Sequence, residues 1–374
     1  EGIINEVFNK EFNKIVLKQP RKIDDYDFDN DSKSTKTKSK IIKFKKNTTL
    51  IKVINDNSID KETKLTTIEE RMNEKMPKIK GDIVTFIGST FMYYGETECY
   101  KQNCIVLGDC TPIKGVEIEC CKTEKDLLLK WKDLIIREDP DIIIGYNIFG
   151  FDYTFIVDRA KELGIFEEFL KMSKNKGHEC FSSFQGTKRI KETKIVLASG
   201  EHQLKYIEMP GRISIDLYNY FRKEVNLESY KLDYVSQYYI GDIVIKPLSY
   251  TKKTTSFKTK NHMGLEVGNY ICFQSINHSN EDINDGEKYI VTKIKNSTIT
   301  IKGMVSIDSD LKIRWGLAKD DIGPQDIFRL TDTGCPNDKA IVAKYCIQDC
   351  RLVHHLFNKL DVLTGFMEMA NICS

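Results

Sequence analysis

The chain has 374 residues, enough for one large domain or two modest ones, and its 40% hydrophobic content with 19 Phe and 17 Tyr is ordinary globular material. Its 57 basic and 55 acidic residues leave a formal net charge of +2, which excludes a global basic field, so any polyanion must be met by local patches. No uninterrupted apolar run suits a membrane span, and eleven Cys without a signal peptide point to a reducing compartment, cytosol or nucleus.

In chain order, Ile3, Ile4, Val7, Phe8, Phe12, Ile15 and Val16 are spaced for a short amphipathic helix over 3–17. Residues 19–48 are charged and poor in large apolar groups, and read as a mobile loop. Their acidic knot, Asp24, Asp25, Asp27, Asp29 and Asp31, reads first as a solvated charge run and only second as a cation site. Leu50–Ile54 reads as a brief strand and Thr66–Met76 as a short helix. Residues 1–79 thus form an N-terminal amphipathic segment with a charged, largely flexible insertion. The chain starts with Glu1 and reads as an excised piece.

The compact part is expected to begin near Lys80. Ile83–Tyr94 reads as a long strand with Tyr100–Leu107 as its antiparallel neighbour, the turn lying around Glu96-Thr97-Glu98. Thr123-Glu124-Lys125-Asp126 has the spacing of a capping box, opening a helix with Leu127, Trp131, Leu134 and Ile135 on one face. Pro140 ends it. Ile142-Ile143-Ile144, bounded by Pro140 and Gly145, then reads as a strand buried on both faces at a sheet's centre. A helix is expected over 154–172, a hairpin over 187–209 turning at Ser199-Gly200, a buried strand over 212–218 and a helix over 227–240. Residues 251–317 change to short strands with polar turns, the pattern of a small inserted β-rich subdomain. A spacer is the plain reading of it. A contact surface is the sharper one, supported by Lys252, Lys253, Lys258 and Lys260 at its start.

Two stretches carry chemistry. Asn147 and Asp152 follow the Ile142–Ile144 strand in a loop that opens a helix, which is where α/β sheets place ligands. Tyr345 and Asp349 lie four apart in the apolar-periodic segment Ala343, Ile347, Leu352, Val353, Leu356, Leu360, so they share one helix face. Two carboxylates and a phenol aimed at one another suit a hard divalent cation and a water.

Tyr146-Asn147-x3-Phe151-Asp152 and Tyr345-x3-Asp349 resemble the second and third motifs of the 3′–5′ proofreading exonuclease of family B DNA polymerases. Between them, Gly211-Arg212-Ile213-Ser214-Ile215-Asp216-Leu217, then Leu227-Glu228-Ser229-Tyr230-Lys231-Leu232, Val235 and Gly241, are similar to the family's inter-motif segment in order and spacing. Ala318–Ile322 and Met367–Ala370 resemble the delta-type enzymes of large cytoplasmic DNA viruses. The resemblance implies an α/β fold: an RNase H-like (DnaQ-like exonuclease) mixed sheet with flanking helices over 80–250 and 318–374; between its second and third motifs, the strand spacing of 251–317 suits a small inserted β-barrel. It implies Mg²⁺ or Mn²⁺ in a two-metal site with Asp152 and Asp349 as ligands. Tyr345 would bond the attacking water, and Asn147 would position the nucleotide or the loop. Tyr146, Phe151, Lys252 and Lys253 become candidate DNA contacts. The implied partners are a single-stranded 3′ end or primer–template DNA, the polymerase domain of a parent chain and a sliding clamp, with no membrane. The implied compartment is the host cytoplasm or nucleus.

The family's first motif, Asp-x-Glu on a strand, is not found before Ile83. Asp27-Phe28-Asp29 has the spacing but the wrong second acid and no strand around it. With two of four carboxylates, the fragment alone is expected to be nearly inactive, and it lacks a central strand. A different class of reading is a non-catalytic domain that binds DNA or a replication partner; a free-standing exonuclease is a further one. Of the remaining residues, Asp216 reads as a cap, Cys346 and Cys350 as packing, and His354-His355 as a helix exterior and its flank. Phe151 and Tyr153 read equally as base-stacking or core. Cys99, Cys104, Cys110, Cys120 and Cys121 lack the paired spacing of a zinc site.

Overall fold

The computed structural model describes residues 7–17, 40–75, 80–184, 186–197, 200–251, 253–276, 280–305, 312–318 and 322–373. The acidic knot 24–31, Ser199, Lys252 and residues 319–321 lie outside these. The chain divides into two compact units, Glu1–Lys80 and Gly81–Ser374.

In the first unit, β1 (Phe12–Leu17) pairs antiparallel with β2 (Lys40–Thr48), and two helices follow, Leu50–Asn55 and Lys61–Lys75. The helix expected over 3–17 is therefore a strand from Phe12 onward, because a partner more than twenty residues away supplies its ladder. Leu50–Ile54 is helix rather than strand: the Thr49 hydroxyl accepts from the Lys52 N–H at 3.4 Å and caps its first turn, while Leu50 and Val53 face inward. Phe12 meets Phe44 edge-on at 5.2 Å, and the Arg71 guanidinium lies over Phe12.

The second unit is mixed α/β. β3 (Phe86–Phe91), β4 (Lys101–Leu107) and β5 (Glu117–Cys121) form one sheet, antiparallel then parallel. The Glu124–Glu138 helix is capped by Thr123, whose hydroxyl accepts from the Asp126 N–H at 3.2 Å. It buries Leu127, Leu128, Trp131, Leu134 and Ile135. Asp139 ends it in the left-handed region at φ 47°.

β6 (Ile142–Gly145) follows, then one π turn (Ile148–Asp152) and the Tyr153–Glu162 helix. The helix expected over 154–172 stops at Glu162. Gly164 takes φ 69°, and a short turn over Phe166–Phe169 resumes. Hairpins β7 (Ser182–Phe184)/β8 (Thr187–Arg189) and β9 (Lys191–Leu197)/β10 (Gly200–Tyr206) come next. β11 (Ile213–Asp216) pairs parallel with β6, Ile213 opposite Ile142 and Asp216 opposite Gly145. β6 is only half-buried through Ile142–Ile144, not enclosed on both sides, because its flank away from β11 meets no strand among the described residues.

Helices Leu217–Glu224 and Leu232–Tyr239 lead into eight strands: β12 (Gly241–Ile243), β13 (Ile245–Tyr250), β14 (Thr254–Lys258), β15 (Tyr270–Ile276), β16 (Asn280–Asp282), β17 (Tyr289–Lys295), β18 (Thr298–Lys302) and β19 (Ile313–Ala318). They pair antiparallel in the order β12-β19-β15-β17-β18-β14-β13, with β16 on β15. Alternation fills the interior with Phe257, Ile271, Phe273, Tyr289, Val291, Ile299, Ile301 and Trp315. The sheet curls: Asp242 of β12 accepts from the Thr259 hydroxyl just past β14 at 2.8 Å, and Thr259 in turn accepts from Trp315 Nε1 at 3.0 Å. Three helices complete the unit, Pro324–Asp332, Pro336–Lys359 and Val362–Cys373. No described helix is long and apolar enough to cross a membrane.

Candidate active site

β6 delivers the chain into a tight turn that Asp216 holds from the neighbouring strand. The Asp216 carboxylate accepts from the Asn147 N–H at 2.7 Å, the Phe149 N–H at 3.1 Å, the Tyr218 N–H at 3.0 Å and Asn219 Nδ2 at 2.8 Å. It therefore caps the Leu217–Glu224 helix and fixes the 147–149 turn together. Burial pushes its pKa up, and the three backbone donors and Asn219 oppose that. Asn147 sits in the left-handed region at φ 61°, ψ 22°. Gly150 lets the Asn147 side chain lie close, since a Cβ there would lie 2.3 Å from Asn147 Oδ1 and that side chain would have to move.

That turn sets Phe151 and Asp152 at the mouth of a cleft of about 630 Å³. Asp152 makes no capping hydrogen bond to the helix it precedes. It keeps surface open to solvent, yet the walls around its carboxyl push its pKa up to about 6, chiefly by desolvation, with Asp216 and Cys346 adding repulsion. Phe151 is 60% exposed and stacks on Phe155 with centroids 5.8 Å apart and planes 7° apart. Tyr153, by contrast, is core: it is 3% exposed, burial pushes its phenol up to about 12, and its hydroxyl lies 3.5 Å from Ser214 Oγ.

The Pro336–Lys359 helix forms another wall. It packs against β3 and buries Val342, Ala343, Ile347, Val353, Leu356 and Phe357. Tyr345 and Asp349, half-buried, line the same cleft as Asp152 and Phe151. Cys346 and Cys350 pack beneath them, so close to β3 that a Cβ on Gly88 would lie 2.6 Å from Cys346 Sγ. His354 is not on the helix exterior: its Nε2 meets the Thr90 carbonyl of β3 at 3.1 Å, and burial lowers its pKa. His355 lies 3.6 Å from Glu266, which Arg351 also contacts. These ties hold the helix to its neighbours on either side of Asp349.

Of the sequence candidates, Asp152, Tyr345, Asp349, Phe151 and Tyr146 share the cleft. Asn147 acts through its backbone in the turn. The Tyr146 hydroxyl is spent on the Tyr230 carbonyl at 2.6 Å, with its ring against Tyr218 and Phe221. Lys253 is exposed in the turn before β14 and does not line the cleft; Lys252 and Asp27-Phe28-Asp29 are outside the described residues. Asp216, with its four donors, is the residue whose positioning part no local motif announced.

Among the described residues, Asp152 and Asp349 are the only carboxylates that line the cleft. No group of three or more His, Cys, Asp or Glu side chains arranged to hold a metal occurs among the described residues. The oxygen donors present fit a hard divalent cation completed by water, not a soft metal.

The family model for the exonuclease domain of family B DNA polymerases matches residues 13–235. The chain belongs to that family. Among relatives of the exonuclease domain, a DNA polymerase of Phaeocystis pouchetii virus is 38% identical over 349 residues, covering 89% of this chain and 33% of that protein. A DNA polymerase of Pyramimonas orientalis virus is 39% identical over 307 residues, covering 82% and 23%. The DNA polymerase delta catalytic subunit of Arabidopsis thaliana is 36% identical over 173 residues, covering 44% and 14%. The chain thus spans a third or less of the length of these curated relatives.

Proposed function

We propose that this chain is the 3′–5′ proofreading exonuclease region of a viral DNA-directed DNA polymerase, hydrolysing the phosphodiester at a single-stranded primer 3′ end with Mg²⁺ or Mn²⁺. The observation that carries the reading is the one cleft that gathers Asp152, Tyr345, Asp349 and the exposed Phe151 ring. Asp152 and Asp349 would hold the divalent ion, which when bound lowers the pKa of a water and stabilises the leaving oxygen. The Tyr345 phenol orients the attacking water. Phe151, already stacked on Phe155, offers its outer face to the terminal base. Asn147 sets the turn. Mostly apolar side chains line the cleft's walls, Ile83–Phe91 on one side and Ile142–Ile144 on the other.

We read the fold as RNase H-like, with the eight-stranded β12–β19 region as an inserted barrel. What supports this is the open geometry between β3 and β6. Both line the cleft, yet they belong to separate sheets among the described residues. One further strand there would join β5-β4-β3 to β6-β11 in a mixed sheet, and a strand bearing the family's Asp-x-Glu would place both carboxylates beside Asp152 and Asp349. The parent polymerase would work on primer–template DNA with its polymerase domain and a sliding clamp, in the host cytoplasm or nucleus. Having only two carboxylates in the cleft favours a second reading, a non-catalytic domain that binds DNA ends.

The test is Mg²⁺-dependent digestion of 5′-labelled single-stranded DNA. It compares this chain, a version extended through an upstream Asp-x-Glu strand, and the extended version with Asp349→Ala. Shortening from the 3′ end by the unmutated extended protein alone supports the reading. A folded but inert extended protein overturns it in favour of the binding module.

A further inference from the structure

The outer face of β14, β17 and β18 belongs to no part of the cleft. On β14, Thr255 and Phe257 point inward, so Thr254, Ser256 and Lys258 point out; on β18, Ile299 and Ile301 point inward, so Thr298, Thr300 and Lys302 point out. β17 would present Thr292 and Ile294 by simple alternation. A register shift between Val291 and Lys293 changes this, pairing Lys293 with Thr300, Ile294 with Ile299 and Lys295 with Thr298. Lys293 and Lys295 therefore join the same outer face. Ser249 of β13 extends it opposite Ser256.

The result is a face with Lys258, Lys293, Lys295 and Lys302 exposed among hydroxyls, one of which links strands (Ser256 Oγ to Thr300 Oγ1, 2.9 Å). No outward position on these three strands carries a carboxylate. Among the described residues, the acids of the β12–β19 region lie off these strands: Asp242 on β12, Glu266 before β15, and Glu281, Asp282, Asp285 and Glu287 around β16 and the turn after it. Ordinary solvated surfaces mix both signs. Edge protection by lysine does not explain Lys258 and Lys302, because β14 and β18 are paired on both flanks, whereas β17 meets β15 only at Tyr289 and Ile290.

We propose that this face docks the sugar–phosphate backbone of duplex DNA. Clustered ammonium groups with hydroxyls beside them suit phosphate oxygens, which serve as position-setting contacts without sequence readout. A protein partner fits poorly, since interface cores are built on aromatic, Met and Arg anchors, and the outward positions of these strands have none. Single-stranded DNA fits poorly too, for want of a ring to stack a base.

The test uses the 374-residue chain and a short fluorescent DNA duplex with EDTA present, so that binding is read without hydrolysis and without the cleft's metal. Affinity is followed by anisotropy across a salt series, for the unmutated chain, for Lys258→Gln/Lys293→Gln/Lys295→Gln/Lys302→Gln, and for the same four positions changed to Arg. The expected result is a salt slope lower by about 0.9 per lysine in contact, roughly 3–4 units for all four, with the Arg variant near the unmutated slope. Single Lys293→Gln and Lys295→Gln variants, each lowering the slope by about 0.9, carry the test should the quadruple variant fail to fold. An unchanged slope in the Gln variants overturns the proposal. So does displacement of the duplex by polyglutamate at equal charge with the same lysine dependence, which would assign the face to an acidic protein.

Discussion

The cleft and the lysine face gather charge in opposite ways. The cleft holds two carboxylates in apolar walls, where desolvation magnifies each charge and an ångström matters. The lysine face spreads four charges over exposed strands in water, where each is worth little and salt screens all of them. The difference teaches how each should fail: the cleft abruptly at single residues and insensitively to salt, the face gradually and in proportion to the charge removed.

The largest effect is expected at Asp349. In the extended protein, Asp349→Ala or Asp152→Ala should each lower the rate of 3′-end hydrolysis at least about 100-fold, equivalent to roughly 2.7 kcal/mol of barrier. The two together should cost little more, because on the proposed reading both hold one ion. Initial-rate digestion of labelled DNA measures this. Equal, modest and additive losses would mean that the cleft behaves like the face, and would break the comparison.

Asp216 probes the same contrast through stability. Asp216→Asn keeps one acceptor oxygen but sets an amide NH₂ against the Phe149 N–H and Asn219 Nδ2. Each donor so orphaned costs about 1–3 kcal/mol, and denaturant unfolding should show a loss in that range. Hydrolysis should fall as well, since the 147–152 turn carries Asp152.

The pH response of Asp152 comes next. Its pKa, raised to about 6, means the proton competes with any cation over the window below that value. Mn²⁺ affinity should therefore fall about tenfold from pH 7 to pH 5, read by calorimetry. Stability carries the opposite sign. A carboxyl with a raised folded pKa supports the fold fully below its ordinary value of 3.8 and loses that support as pH rises through about 6. Asp152→Asn should thus raise the metal-free melting temperature at pH 7–8 and leave it unchanged below pH 4. The gain will be small, because the side chain keeps solvent-exposed surface.

How much of this was legible in the sequence follows the range of the forces. The Thr123 cap, the Ile142–Ile144 strand, the β9–β10 hairpin and the pairing of Tyr345 with Asp349 on one helix face depend on neighbours within a few residues, and they can be read directly. Leu50–Ile54 reads as a strand because it is a short apolar run, although Thr49 is the visible signal of the helix found there. β1 is not legible locally, because its partner strand lies beyond a long charged stretch. His354 looked external because the Thr90 carbonyl that receives it is 264 residues away in the chain. The four donors on Asp216 come from the turn after β6 and from its own helix, and composition cannot show that they converge. The lysine face depends on a one-residue register shift at Val291/Lys293, and alternation alone would have turned Lys293 and Lys295 inward.

That register shift yields the smallest and sharpest expectation. Lys293 and Lys295 are exposed, and no ion pair joins either to a carboxylate among the described residues. Changing either to Gln should therefore move unfolding free energy by no more than about 0.5 kcal/mol, within the usual range for surface positions. The same change should lower the salt slope of duplex binding by about 0.9, while Thr292→Ala, one position earlier on the strand, leaves the slope alone. Stability-neutral variants with unequal slopes would show that the bulge chooses which side chains meet the DNA. A slope that falls alike at Thr292, Lys293 and Lys295 would instead mean that the strand is disturbed as a whole, and the contrast with the cleft would rest on the carboxylates alone.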